Sequence, residues 1–218
     1  MGTKQIAIAG VGASAIAGGV GGVYYLNLDK TIKDKLASNG IELIKENEGY
    51  QVAFKELKND NNFITAIKTH TGNISNTSSL TDGGIALKTW CEKTFDTNLN
   101  HKDANSLFEK AKSYCVARPL TIIAKLEKEG KKLTTIWTDR VKSLKTKNSN
   151  NDDSLQQDLH SKDNTINNLD NPSQKEDNAL KKWCEDNSKK RLVEDENNEI
   201  FGKIEKRCLD ETKPSGTI

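Results

Sequence analysis

Four cysteines are the residues of this chain best suited to do chemistry. Cys91 and Cys115 are separated by 24 positions, and so are Cys184 and Cys208. In each pair the first cysteine directly follows a tryptophan (Trp90 or Trp183), and the second closes a later apolar stripe. Two helices packed as an antiparallel hairpin would bring such positions within bridging distance. A disulfide closing a loop of that length stabilises a small module by roughly 3 kcal/mol in the chain-entropy account. Disulfides persist in oxidising compartments, so this reading places the body of the chain outside the cytoplasm. The alternative is four buried thiols acting as small hydrophobes.

Other cysteine and histidine chemistry fits the spacing less well. There is no CxxC, and His101 has no counterpart in the second half of the chain, which leaves a repeated zinc site without ligands. Cys–His nucleophilic catalysis lacks a base at a fixed position for the same reason. His70 and His160 fall in polar stretches and are expected to be solvated. No catalytic residue, metal ligand or cofactor is therefore assigned. Lys+Arg 33 against Asp+Glu 31 gives a net charge of +2, which supplies no field for nucleic acid. The Lys-rich stretches at 125–132 and 188–191 have acids among or near them and read as solvated helix faces.

The first 28 residues form a separate unit. Between Lys4 and Asp29 no residue is charged, and the run is about 23 residues long, enough to cross the hydrocarbon core of a bilayer as a helix. Gly10, Ser14, Gly18 and Gly22 recur every fourth residue, a small-xxx-small row that lets two membrane helices approach closely and self-associate. Tyr24 and Tyr25 suit the interface. Two other readings compete. Gly10-Val11-Gly12-Ala13-Ser14-Ala15 matches a G-x-G-x-x-A dinucleotide fingerprint with Asp29 as the later acid. Its crossover helix would carry glycines at 18, 19, 21 and 22, each costing about 1 kcal/mol. Ala15-Ile16-Ala17 resembles a signal-peptide cleavage site, but the apolar run continues past it, favouring an uncleaved anchor. Lys4 precedes the run while Lys30, Lys33 and Lys35 follow it, so charge alone does not favour export. The cysteines do.

Behind this anchor the chain repeats itself. Ala86-Leu87-Lys88-Thr89-Trp90-Cys91-Glu92 returns as Ala179-Leu180-Lys181-Lys182-Trp183-Cys184-Glu185, 93 residues later, and Phe108 and Cys115 return as Phe201 and Cys208. Thr31-Ile32, Leu36, Gly40 and Leu43 return 90 residues later as Thr121-Ile122, Leu126, Gly130 and Leu133. Tyr50, Phe54 and Leu57 align with Trp137, Val141 and Leu144 at 87. The expected architecture is mainly α: an anchor over 1–28, helical modules over 29–118 and 119–212, and a tail over 213–218. Thr31 and Thr121 suit helix N-caps, and Gly40 and Gly130 left-handed C-terminal positions. Trp90, Trp137 and Trp183 are expected as core anchors. The run at 120–123 leaves small β elements open. Polar inserts are expected over Asn59–Gly84 and 146–178, the second too polar to bury anything and disordered.

The glycine/alanine-rich anchor, the T-I-x-x-K-L-x-x-x-G-x-x-L block and the repeated L-K-x-W-C-E segment with its later cysteine resemble uncharacterised paralogous proteins of haemotropic mycoplasmas. That resemblance spans nearly the whole chain. It implies a surface-exposed or secreted product involved in antigenic variation and host interaction, and it transfers no catalytic residue. The function expected is that of a membrane-anchored, non-enzymatic surface protein. Its partners would be the lipid bilayer, a second copy through the anchor, and a host surface molecule or antibody. The competing readings are a dinucleotide-binding protein using Gly10–Asp29 and a cytoplasmic-facing oligomeric scaffold.

Overall fold

The computed structural model describes residues 29–147 and 154–210. The anchor of 1–28, with its glycine row and its dinucleotide-like motif, and the tail lie outside the described residues. Among the described residues no helix is long and apolar enough to cross a membrane.

Among the described residues ten helices follow one another. The first five are α1 (Ile32–Ser38), α2 (Asn47–Leu57), α3 (Asn61–Thr71), α4 (Leu80–Phe95) and α5 (Ala104–Tyr114). The second five are α6 (Ile122–Lys128), α7 (Trp137–Lys147), α8 (Ser154–His160), α9 (Gln174–Ser188) and α10 (Glu199–Arg207). Local chemistry starts and stops them. The Thr31 hydroxyl accepts from Asp34 N while Asp34 accepts from the Thr31 N–H, a reciprocal cap. Thr121 accepts from Ala124 N at the start of α6. Gly40 and Gly130 follow the ends of α1 and α6 at φ 69° and 73°, a region a side chain rarely adopts.

The two runs of five are built alike beyond their helices. Short antiparallel bridges join Thr31 to Asn98 and Leu43 to Val116, and likewise Thr121 to Arg191 and Leu133 to Leu209. Ile32 N donates to Thr97 O as Ile122 N does to Lys190 O, both at 3.0 Å. Each bridge brings the loop after one helix against the start or end of another, and among the described residues these four isolated bridges are all the β structure. The run at 120–123 itself leads into α6.

Four expectations need correction. The stretch 59–84 is not a polar insert: it holds α3 and the start of α4, and it buries Phe63, Ile64, Ile67 and Leu80. The stretch from 154 to 178 is not disordered either. It contains α8 and the start of α9, and Leu155, Leu159 and Ile166 are at most 1% exposed. Leu155 and Leu159 stand four apart on one helix face, so two apolar residues suffice to dock a short helix on α9. Residues 148–153 lie outside the described residues. The pairing of Tyr50 with Trp137 slips by three residues. Leu43 and Leu133 each stand four residues before the next helix, which keeps the offset at 90 and sets Tyr50 opposite Arg140. A three-residue slip turns a helix by only about 60°, so the apolar pattern tolerates both phases. Trp137 consequently opens α7 at the half-buried rim of the second core and is no central anchor.

Each run of helices encloses its own core, and α2 joins them. Tyr50, Ala53 and Phe54 face the first core, while Val52, wholly buried, packs into the second. Around Val52 the joint is polar. Lys55 Nζ donates to Leu192 O at 2.8 Å, Arg191 Nε donates to Glu48 Oε1 at 2.5 Å, and Arg118 Nη1 donates to Glu56 Oε2 at 2.8 Å. Burial pushes the Lys55 ammonium below its ordinary pKa, partly offset by the Asp195 charge.

Candidate functional site

The repeated Trp-Cys frame organises each module. Cys91 on α4 is bonded to Cys115 at the end of α5, and Cys184 on α9 to Cys208 at the end of α10, with Cα atoms 5.9 and 5.8 Å apart. No described cysteine is free. The carbonyl of each later cysteine accepts from the segment after the first helix of its module, Ile44 N at 3.0 Å and Thr134 N at 2.8 Å. One covalent bond and one hydrogen bond thus hold three elements together. Trp90 and Trp183 lie beside these bonds, each 3% exposed, and serve as core anchors.

The two modules fill the space beside the tryptophan differently. In the first it is aromatic: Tyr114 meets Phe63 edge-on at 5.0 Å and lies 5.6 Å from Trp90. In the second, Arg207 occupies the place of Tyr114. Its guanidinium lies 5.1 Å from the Trp183 ring and donates to Asp158 Oδ2 at 2.5 Å, and Lys203 Nζ reaches the same oxygen at 2.8 Å. Burial raises the Asp158 carboxyl, but the hydrogen bonds and charges of Lys203 and Arg207 outweigh it and hold the carboxyl below its ordinary range.

Next to Trp90 the surface opens into a cleft of about 380 Å³ between α3, α4 and α5. Thr69 and His70 enter it from α3, Trp90, Lys93 and Thr94 from α4, and Leu107 and Lys110 from α5. Desolvation first, and the neighbouring Lys93 charge second, lower the His70 pKa. The lining holds two ammonium groups, an imidazole and threonine hydroxyls, with no carboxylate. Chemically that is a set of donors and cations awaiting an acceptor. Sequence reasoning placed His70 in a solvated insert and Lys93 on no site at all. The signal that could have found them is the repeat itself, because their counterparts in the second module carry opposite or compensated charge.

Among the described residues no group of His, Cys, Asp and Glu is placed to hold a metal ion. Asp29, the acid of the dinucleotide-like motif, accepts from Ser38 Oγ at 2.7 Å. No protein-family model, curated protein or solved structure matches this chain.

Proposed function

We propose that the protein is a membrane-tethered, non-enzymatic surface protein whose disulfide-pinned double module faces an oxidising exterior and meets host molecules or antibodies there. The observation carrying this reading is the pair of disulfides, each within one module and at the same place in both. Such bonds suit an exported body. They also consume every cysteine, which leaves no thiolate for nucleophilic or redox work. The uncharged run between Lys4 and Asp29 supplies the tether, and the glycine row within it a surface for pairing. The resemblance to surface-exposed mycoplasma paralogues points the same way.

Three measurements on the native full chain test it. Alkaline carbonate should leave the protein in the membrane fraction. Protease added to intact cells should degrade the body, whereas a cytoplasmic-facing scaffold would survive. Alkylation before and after reduction should find all four cysteines oxidised. Extraction by carbonate together with soluble dinucleotide binding would replace this reading by the cofactor-binding one.

A further inference from the structure

We propose that the cleft between α3, α4 and α5 binds an oxyanion group of the phosphate or sulfate ester kind. The second module provides the comparison that singles it out. Helices α3 and α8 align on their buried pairs, Phe63/Ile67 and Leu155/Leu159, and α4–α5 align with α9–α10 on the Trp-Cys frame. That register sets Ala66 opposite Asp158, His70 opposite Lys162, Lys93 opposite Asp186 and Lys110 opposite Lys203.

In the second module these charges cancel. Lys162 Nζ lies 2.8 Å from Asp186, and Lys203 Nζ lies 2.8 Å from Asp158. In the first module both carboxylates are gone: Lys93 stands where Asp186 would, and Ala66 where Asp158 would. Lys110 remains without its anion, His70 stands where Lys162 would, and neither Lys93 nor Lys110 makes an ion pair among the described residues. Neutral donors are spare as well. The Thr94 hydroxyl and the Trp90 indole N–H make no hydrogen bond within the described residues, and although their side chains are 3% exposed, neither polar atom is itself buried, so both open onto the cleft. In the second module the residue at the Thr94 position, Asn187, turns inward and donates to Trp183 O at 2.8 Å.

An oxyanion restores what the first module lacks. It supplies negative charge to Lys93 and Lys110, and it offers acceptor oxygens to several converging donors at once. A phosphate or sulfate has more oxygens than a carboxylate and suits donors arriving from three helices. Leu107 and the edge of Trp90 leave an apolar rim for the carbon skeleton that carries the ester.

The test is a proton–nitrogen NMR titration of the full-length protein in detergent micelles. Inorganic phosphate and inorganic sulfate serve as separate probes, with ionic strength held constant by chloride. Saturable shifts are expected at the amides of Thr94, Thr97 and Lys110, with none at their counterparts Asn187, Lys190 and Lys203. Lys93→Asp installs the second module's charge, and it should weaken binding about tenfold or more. Lys110→Gln provides a second variant, so that misfolding of one does not decide the matter. Tighter phosphate binding would indicate a phosphate ester and tighter sulfate binding a sulfate ester, and either supports the site. Shifts that chloride reproduces, no saturation by either anion, or unchanged affinity in both variants would overturn it. None of these readings depends on the tether.

Discussion

The Arg207 guanidinium, with no exposed surface, donates to the Asp158 carboxylate at 2.5 Å across the gap between α10 and α8. A wholly buried cation is tolerated only when paired and hydrogen-bonded, and this one also gives a hydrogen bond to Ser154 Oγ at 2.7 Å. The stretch around α8, polar in composition, is therefore tied to its module through Asp158 and Ser154 as well as through the buried Leu155 and Leu159.

Asp158→Asn should cost the second module about 1–3 kcal/mol, because it takes one carboxylate away from both the buried Arg207 and Lys203. Asp186→Asn removes the half-exposed partner of Lys162 and should change stability by less than about 1 kcal/mol. Denaturant melts of both variants check the contrast.

Acid should act on the same module first. Asp158 is held below its ordinary range as described above. Glu176 is pushed up by burial but held down overall by hydrogen bonds from the Ser173 side chain and backbone. A carboxyl depressed on folding contributes stability above its unfolded pKa, and that contribution is lost as pH falls through the folded value. The contribution is expected intact at neutral pH and to decline below about pH 4. Amide spectra across an acid titration should show residues 154–210 loosening before the first core.

Gly83 lets α2 lie close against α4. A Cβ built there would stand 2.2 Å from the Phe54 ring, deep in the first core. Gly83→Ala should therefore destabilise by about 1–3 kcal/mol through overpacking. Gly202 on α10 meets nothing within 4 Å, and Gly202→Ala should be neutral or stabilising by up to about 1 kcal/mol. Opposite signs in thermal melts are the outcome to look for.

Val52 couples the modules by lending an apolar side chain to a core not its own. Val52→Asp should uncouple them, turning a single unfolding transition into two. A calorimetric scan that stays a single transition, with a lowered midpoint, would mean that the surrounding polar contacts of Lys55, Glu48 and Glu56 suffice for coupling.

Much of the frame is legible in the sequence. Thr31, Thr121, Gly40 and Gly130 act within one turn of chain, so their roles follow from residue type. The Leu87/Trp90/Cys91 stripe and its repeat marked a helix with one buried face. Helix α8 is not legible in the sequence because Leu155 and Leu159 are only two apolar residues among amides and acids, too few to rise above a polar background. Val52 was missed because it points away from the Tyr50/Phe54/Leu57 stripe, and only a neighbouring module makes that second face an interior. Trp137 was overrated because its size suggests burial, whereas its place at the start of α7 sets it on a rim.

The chain by itself determined the helical content, the duplication and the spacing that lets its cysteines pair, since these depend on local conformation and on order along the chain. Tertiary structure alone decided which charges cancel. Lys162 meets Asp186 24 residues away and Lys203 meets Asp158 45 residues away. Their counterparts in the first module meet no acid among the described residues, so a chain of nearly balanced charge holds a cleft whose lining carries no carboxylate. Charges interact through space over a few ångströms, and only the packing of the helices sets those distances.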